Sequence, residues 1–191
     1  FAVPAVSRAV RARRVGELVS EARAALDAGD LDRARRAALD ALQLEPTDDT
    51  ARALADRAEA DGRVRACGGL LARRREVLAR VADLRTRAAE AEAAVSDWDP
   101  PTSKEAAWNV VDALRAAELE ADGLRTQSER ELARALEVCR GHAAARDRLC
   151  RLSLERHAEA RARRDARGMG EARRQLEAND PEGRFAGEFA R

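Results

Sequence analysis

Aromatic residues are scarce in this chain: they make up 3% of its 191 positions, and tyrosine is absent. Isoleucine is also absent, and Lys104 is the single lysine, so nearly all basic side chains are arginines. Proteins that bind single-stranded nucleic acid without sequence preference stack its bases on aromatic side chains. The composition therefore argues against that class. It also predicts a thin core, because a buried alanine contributes much less transfer free energy than a buried leucine or phenylalanine.

An excess of one charge sign is missing as well. Lys and Arg number 36 and Asp and Glu number 35, which gives a formal net charge of +1. A nucleic-acid-binding domain carries a basic excess on one face, so we expect no nucleic-acid partner and instead a solvated, ion-paired helix surface. The arginine bias is typical of a GC-rich bacterial genome.

Long apolar runs and a disulfide framework are also lacking. No apolar stretch approaches the 18 or so residues of a membrane span, and no secretory signal is present, so we expect no membrane insertion by this segment. The three cysteines are an odd number in a large chain, which favours a reducing compartment. The sequence thus predicts a cytoplasmic protein.

Helical periodicity begins near the amino terminus. Apolar residues recur at helical spacing from Ala5 to Ala28, and again from Leu31 to Pro46. Gly29 and Asp30 separate the two stretches as a stop signal followed by a start signal. We predict two helices in a tight antiparallel pair.

The residues of this pair resemble a tetratricopeptide repeat that spans about 15 to 48. The resemblance lies in the turn Gly29-Asp30-Leu31-Asp32-Arg33-Ala34 and in the ending Ala41-Leu42-Gln43-Leu44-Glu45-Pro46, with Leu18 and Ala22 at a large and a small position. The chain departs from the family at Glu21, Ala25 and Ala38, where the repeat has larger apolar residues. Val19 and Arg23 occupy the groove positions, so the carboxylate clamp of chaperone-type repeats is not reproduced.

The segment from Trp98 to Trp108 interrupts two long helix-forming tracts. Pro100 and Pro101 remove two backbone donors, so we predict that the first helix stops near Ser96 and that Thr102 or Ser103 caps the next. The apex then lies near 97–103. Trp98 and Trp108 are predicted to close this end as an apolar plug, with contact to a partner as the alternative.

Heptad spacing on both sides of the apex predicts that the two tracts pack as an antiparallel coiled coil. The positions are Leu70, Val77, Val81, Leu84, Ala88, Ala91 and Val95 before it, and Ala107, Val110, Leu114, Ala117, Ala121 and Leu124 after it. Gly68 and Gly69 favour a kink in the first tract, and close packing of neighbouring backbone is the alternative.

The sequence predicts an all-α fold with three parts. These are a repeat-like helical region at 1–66, a long antiparallel hairpin at 67–140, and C-terminal helices with a tail at 141–191. The ending Leu176-Glu177-Ala178-Asn179-Asp180-Pro181 is similar to a worn repeat ending, so the last part is expected to be a degenerate helical pair.

Residues with the chemistry of a metal site are few, namely Cys139, His142, Cys150 and His157. Cys150 and His157 are seven residues apart, which puts them about 10 Å apart along one helix, too far for two ligands of one tetrahedral zinc ion. No nucleophile elbow, phosphate-binding loop or zinc-protease motif occurs. We therefore expect no metal, no cofactor and no catalytic residues in this chain.

The tract Trp98-x5-Lys104-x3-Trp108, between long helices and next to a repeat, resembles the helical region that follows the catalytic domain in bacterial eukaryotic-like serine/threonine kinases. The resemblance implies a non-catalytic interaction or scaffolding segment of such a kinase. Its expected partner is another protein or a second copy, and the expected contact residues are Val19, Arg23, Trp98 and Trp108. The alternative is a structural spacer or a dimerising coiled coil.

Overall fold

The computed structural model describes residues 3–96, 98–185 and 187–188, and no β-strand occurs in this part of the chain. The predicted all-α fold is confirmed. The described residues form six helices in sequence order, α1 (Val3–Asp27), α2 (Leu31–Leu44), α3 (Asp49–Ala93), α4 (Pro101–Val138), α5 (Ala143–Ala162) and α6 (Ala166–Asn179).

The chain divides into two compact units. Unit 1 contains Phe1–Arg65 and Glu131–Arg191, and unit 2 contains Ala66–Arg130. Unit 2 is therefore inserted in the sequence between the two stretches that form unit 1. The helices α3 and α4 each contribute residues to both units.

In unit 1, α1 and α2 are joined by the predicted turn. Gly29 adopts the left-handed conformation with φ of +75°. Its N–H donates to the carbonyl of Leu26, and the N–H of Asp30 donates to the carbonyl of Ala25, both at 2.9 Å. This is a Schellman motif, which satisfies carbonyls at the end of a helix. Asp30 then caps α2, because its carboxylate accepts the N–H of Arg33 at 3.1 Å.

The turn between α5 and α6 has the same geometry as the turn between α1 and α2. Asp165 in the second turn is equivalent to Asp30 in the first. Arg164 takes the left-handed position with φ of 56°. Its N–H donates to the carbonyl of Arg161 at 3.1 Å, and the N–H of Asp165 donates to the carbonyl of Ala160 at 2.8 Å. Asp165 caps α6 in the same way that Asp30 caps α2. The C-terminal stretch is thus a second helix pair, as predicted.

A four-residue loop recurs three times in unit 1, at 45–48, 139–142 and 180–183. In each, the first residue donates its N–H to the carbonyl four positions earlier, and the fourth donates its N–H to the carbonyl of the first, at 2.8 to 3.2 Å. Asp48 and His142, the last residues of the first two loops, cap the helices that follow. The ends of α2, α4 and α6 are therefore built alike.

The core of unit 1 is made largely of alanine where α1, α2 and the start of α3 meet, as the composition predicted. Because alanine side chains are short, helices can approach closely there. Three small clusters follow one another along these helices: Val15, Leu18, Ala41 and Ala51; then Ala22, Ala37, Ala38 and Ala55; then Ala25, Ala34 and Ala58.

Unit 2 is an antiparallel helical hairpin whose core consists of the predicted heptad positions. Its buried residues are Val77, Val81, Leu84, Ala117, Ala121 and Leu124, with Leu70, Val110 and Leu114 packed against them. Ion pairs join the two arms, since Arg73 and Arg80 contact Glu120 while Arg85 contacts Glu118. The predicted coiled-coil hairpin is confirmed.

The ends of the two arms differ from the prediction. α3 ends at Ala93 rather than near Ser96, and α4 begins at Pro101. The predicted caps Thr102 and Ser103 are wrong, because both residues lie inside the first turn of α4. Proline suits the first helical position, where its fixed φ is already helical and no backbone donor is needed. Of the predicted apex, residue 97 lies outside the described residues.

The helix α3 continues through Gly68 and Gly69, since both residues are helical. A Cβ atom at Gly69 would meet no atom within 4 Å, so the alternative to a kink, close packing of neighbouring backbone, does not occur at this glycine.

Candidate interaction surfaces

Val19 and Arg23 lie one turn apart on α1 in unit 1. Val19 is half-buried and packs against the cluster that contains Val15 and Leu18. Arg23 is exposed, and its guanidinium forms no hydrogen bond or ion pair within the part of the chain that the structure describes. This face of α1 therefore offers one free cation beside an apolar side chain that already contributes to the core.

Glu21, close to Arg23 on α1, forms an ion pair with α2. Its Oε1 accepts a hydrogen bond from Nε of Arg33 in α2 at 2.9 Å. Where the repeat has a buried leucine, this chain thus has a surface ion pair between the two helices. Leu18 and Ala22, in contrast, are buried.

A charged network crosses unit 1 from α2 to α4. Glu59 contacts Arg63 at 2.7 Å and Arg35 at 3.2 Å, and Arg63 also contacts Glu131 at 3.2 Å. The hydrogen bond from Arg63 lowers the pKa of Glu59 from its ordinary value, with a further contribution from Arg35 and against the opposing effect of partial burial. The same hydrogen bond raises the pKa of Arg63. The hydrogen bond between Glu59 and Arg63 thus favours the charged form of both groups.

Both tryptophans at the loop end of the hairpin in unit 2 are exposed to solvent. The side chain of Trp98 is 94% exposed and that of Trp108 is 51% exposed. The predicted apolar plug is therefore wrong, since a plug requires both rings to be buried. The apolar core of the hairpin forms without the two indoles, because Val77, Val81 and Leu84 pack against residues of α4.

The backbone around Trp98 is held by local hydrogen bonds. The N–H of Ser96 donates to Oδ2 of Asp99 at 2.7 Å, and the N–H of Asp99 donates to the carbonyl of Ser96 at 3.1 Å. Beyond the loop, the hydroxyl and the N–H of Ser103 both donate to the carbonyl of Pro100. Hydrogen bonds therefore connect described residues on either side of Trp98, whose ring is exposed.

The carboxylates close to this loop were not singled out from the sequence. Glu90, Glu92 and Glu105 are exposed, and within the described residues none of their carboxylates forms an ion pair or a hydrogen bond. Farther along the hairpin the situation is different, since Arg73 and Arg80 hold Glu120 and lower its pKa. The sequence did contain a signal for these unpaired carboxylates. No arginine occurs at positions 88–114, although arginine occupies about every fifth position of the chain.

The residues considered for a metal site do not form one in the described part of the chain. No group of three or more His, Cys, Asp and Glu side chains suitable for a metal ion occurs among the described residues. His142 uses both ring nitrogens, because Nδ1 accepts the N–H of Ala145 and Nε2 lies 2.8 Å from Asp61. Cys150 is buried, and this burial raises the pKa of its thiol, with Asp180 and Asp147 adding to the effect.

No helix in the described residues combines the length and the apolar composition that crossing a lipid bilayer requires.

Comparison of the chain with protein-family models, with curated proteins and with solved structures found no match.

Proposed function

We propose that this chain is a non-catalytic protein–protein interaction or scaffolding module built on tetratricopeptide-like helix pairs. The observation that carries the proposal is the recurrence in unit 1 of one loop at the ends of α2, α4 and α6, together with matching turns after α1 and α5. Arrays of helix pairs stack so that each pair covers the next, and they use the resulting surface to bind other proteins.

The proposed array has three helix pairs. The outer two are α1 with α2 and α5 with α6. The middle pair consists of the start of α3 and the end of α4, and unit 2 is an insertion between its two helices. Three pairs are the number that such arrays need for a continuous core, which a single repeat at 15–48 could not supply.

We propose further that the module is a regulatory segment of a bacterial serine/threonine kinase. The support is the resemblance of Trp98-x5-Lys104-x3-Trp108, placed between long helices, to the tract that follows the catalytic domain in such kinases. No kinase motif occurs in the chain. The purified chain is accordingly expected to neither hydrolyse ATP nor transfer a phosphoryl group.

Arg23 is the residue with which we test the interaction surface. The tagged chain is incubated with bacterial extract, and the retained proteins are quantified by mass spectrometry. Arg23→Glu reverses the free charge on α1. Arg36→Glu on α2 is the matched control, because Arg36 is also exposed and its guanidinium forms no hydrogen bond or ion pair with the described residues.

The proposal predicts a set of proteins that the native chain and Arg36→Glu retain and that Arg23→Glu retains at least tenfold less. A kinase domain within that set would support the second part of the proposal. The same set with all three chains would contradict the role of Arg23, and no retained protein at all would contradict an interaction module.

The alternative of a dimerising coiled coil finds less support. The heptad seam of unit 2 is filled by the two arms of the same chain, with Leu84 buried and Leu114 packed beside it. A second chain could use this seam only if the hairpin opened. Light scattering on the purified chain tests the alternative, which predicts a dimer that is lost when the hairpin core is disrupted.

A further inference from the structure

The loop end of the hairpin in unit 2 differs in charge from the rest of the chain. We define the hairpin tip as residues 90–108. It contains five carboxylates, Lys104 as its one basic side chain and no arginine, which gives a formal net charge of −4. The whole chain has a net charge of +1. The tip is thus a local concentration of negative charge in a nearly neutral protein.

The negative charge of the tip is incompletely neutralised. Glu90, Glu92 and Glu105 are exposed and form no ion pair with the described residues. On the body of the same hairpin, Glu118 and Glu120 are paired with arginines across the two arms. Carboxylates that remain without counter-ions concentrate the field at one end of the hairpin and attract a basic surface.

The same tip exposes both tryptophans of the chain. Trp98 is 94% exposed and Trp108 is 51% exposed, although indoles are highly buried on average in folded proteins. Tryptophan and arginine are the residues that contribute most to the energy of protein interfaces, and a guanidinium stacks on an indole face. Ser96 and Asp99 hydrogen-bond to each other close to Trp98, and such local order reduces the entropy lost on binding.

We propose that the hairpin tip binds an arginine-bearing apolar segment of a partner protein. Trp98 and Trp108 contact the apolar side chains and stack on guanidinium groups, while Glu90, Glu92 and Glu105 pair with the surrounding arginines. The charge complementarity selects this occupant over an acidic protein surface or an anionic membrane. The inference rests on the proposed role of the chain as an interaction module and names the chemistry of one partner.

Intrinsic fluorescence tests the inference directly, because both tryptophans of the chain lie in the tip. Their emission is not obscured by tyrosine, since the chain contains none. The full chain is titrated with a synthetic amphipathic helical peptide made of arginine, leucine and alanine. A second peptide has every arginine replaced by glutamate. We expect a saturable change in tryptophan emission with the arginine peptide and none with the glutamate peptide.

Variants assign the interaction to the tip. The combined change Glu90→Gln, Glu92→Gln and Glu105→Gln is expected to weaken binding at least tenfold. Glu76→Gln is the matched control, since Glu76 is an exposed carboxylate on the body of the hairpin, and it is expected to leave the affinity within twofold. Trp98→Phe keeps an aromatic ring and is expected to bind more weakly than the native chain but more tightly than Trp98→Ala, as measured by calorimetry.

Several results would overturn the inference. These are an emission that does not change with the arginine peptide, equal binding of the glutamate peptide, or no effect of the triple variant. A change of emission with protein concentration alone would identify a second copy as the occupant, and a blue shift with zwitterionic lipid vesicles would identify a membrane. The Arg23→Glu experiment on unit 1 is independent of these outcomes, so failure here is distinguishable from failure of the proposed function.

Discussion

The Nε2 atom of His142 lies 2.8 Å from Oδ1 of Asp61 and connects the amino terminus of α5 to α3 within unit 1. The other ring nitrogen of His142 accepts the N–H of Ala145 at 3.2 Å. Since Nδ1 acts as an acceptor, Nε2 carries the proton and donates it to the carboxylate. One side chain thus caps a helix and fixes its position against another.

Replacement of His142 tests this double role. We predict that His142→Ala lowers the free energy of unfolding by about 1 to 2 kcal/mol, because the cap is lost. His142→Asn is expected to recover much of that loss, since asparagine is a good cap. Urea unfolding followed by circular dichroism gives the values, and hydrogen exchange at the start of α5 locates the change. Equal stability of both variants and the native chain would rule the role out.

The repeating parts of the fold were predictable from the sequence. The seven-residue spacing of Val77, Leu84 and their partners identified the hairpin core, because the period of an apolar pattern determines which side chains share a helix face. Gly29 and Asp30 identified the first turn for a similar reason, since each of these residue types suits a distinct backbone conformation there.

Features that depend on distant or exceptional residues were not predictable. His142 is an unusual cap, and its second contact lies 81 residues away in the sequence. Arg164 occupies a position where glycine is the usual residue, so the second turn had no clear signal. The exposure of Trp98 was also missed, because an apolar ring is expected to be buried and nothing local indicates that the seam closes without it.

Leu84 is the residue with which the hairpin core is tested. It is 8% exposed within the core of unit 2, so Leu84→Ala is predicted to lower the free energy of unfolding by about 2 to 5 kcal/mol. Leu119→Ala is the matched control on the same hairpin, since Leu119 is 73% exposed, and it is expected to change stability by less than about 0.5 kcal/mol.

Thermal unfolding followed by far-ultraviolet circular dichroism measures both leucine variants, because unfolding of unit 2 removes the helical signal of its two arms. Comparable effects of Leu84→Ala and Leu119→Ala would contradict the described core. Light scattering on the same samples shows whether Leu84→Ala also changes the molecular mass, which the coiled-coil dimer requires.

Glu59 is predicted to make the stability of unit 1 sensitive to acid. Arg63, with help from Arg35, lowers its pKa in the folded state, so the unfolded chain binds the proton more tightly. The resulting stabilisation is fully present above the unfolded pKa of about 4.3 and is lost as the pH falls through the lower folded pKa.

Denaturation of Glu59→Gln across the acid range checks this sign. The stability difference between the native chain and Glu59→Gln should be largest near neutral pH and shrink as the solution becomes acidic. Glu137→Gln is the control, because Glu137 is exposed and forms no ion pair with the residues that the structure describes. A difference that grows on acidification would contradict the assignment.

Arg164 and Gly29 occupy the same left-handed position in two equivalent turns, with φ of 56° and +75°. A side chain in this conformation is strained, and glycine is not. We therefore predict that Arg164→Gly raises the free energy of unfolding by up to about 1 kcal/mol and that Gly29→Ala lowers it by about 1 kcal/mol. A Cβ atom at Gly29 would meet nothing closer than Nη2 of Arg65 at 3.9 Å, so the effect comes from the backbone rather than from a clash.

The neighbouring Arg163→Gly separates backbone strain from charge. Arg163 has φ of −86° and ψ of −3°, which any residue adopts without strain, and its replacement removes the same charge. It is expected to leave stability unchanged or to lower it slightly, since glycine gains conformational entropy in the unfolded chain. Urea denaturation of the native chain, Arg164→Gly, Gly29→Ala and Arg163→Gly gives the four free energies of unfolding. If Arg163→Gly and Arg164→Gly stabilise equally, the cause is relief of charge repulsion and not of backbone strain.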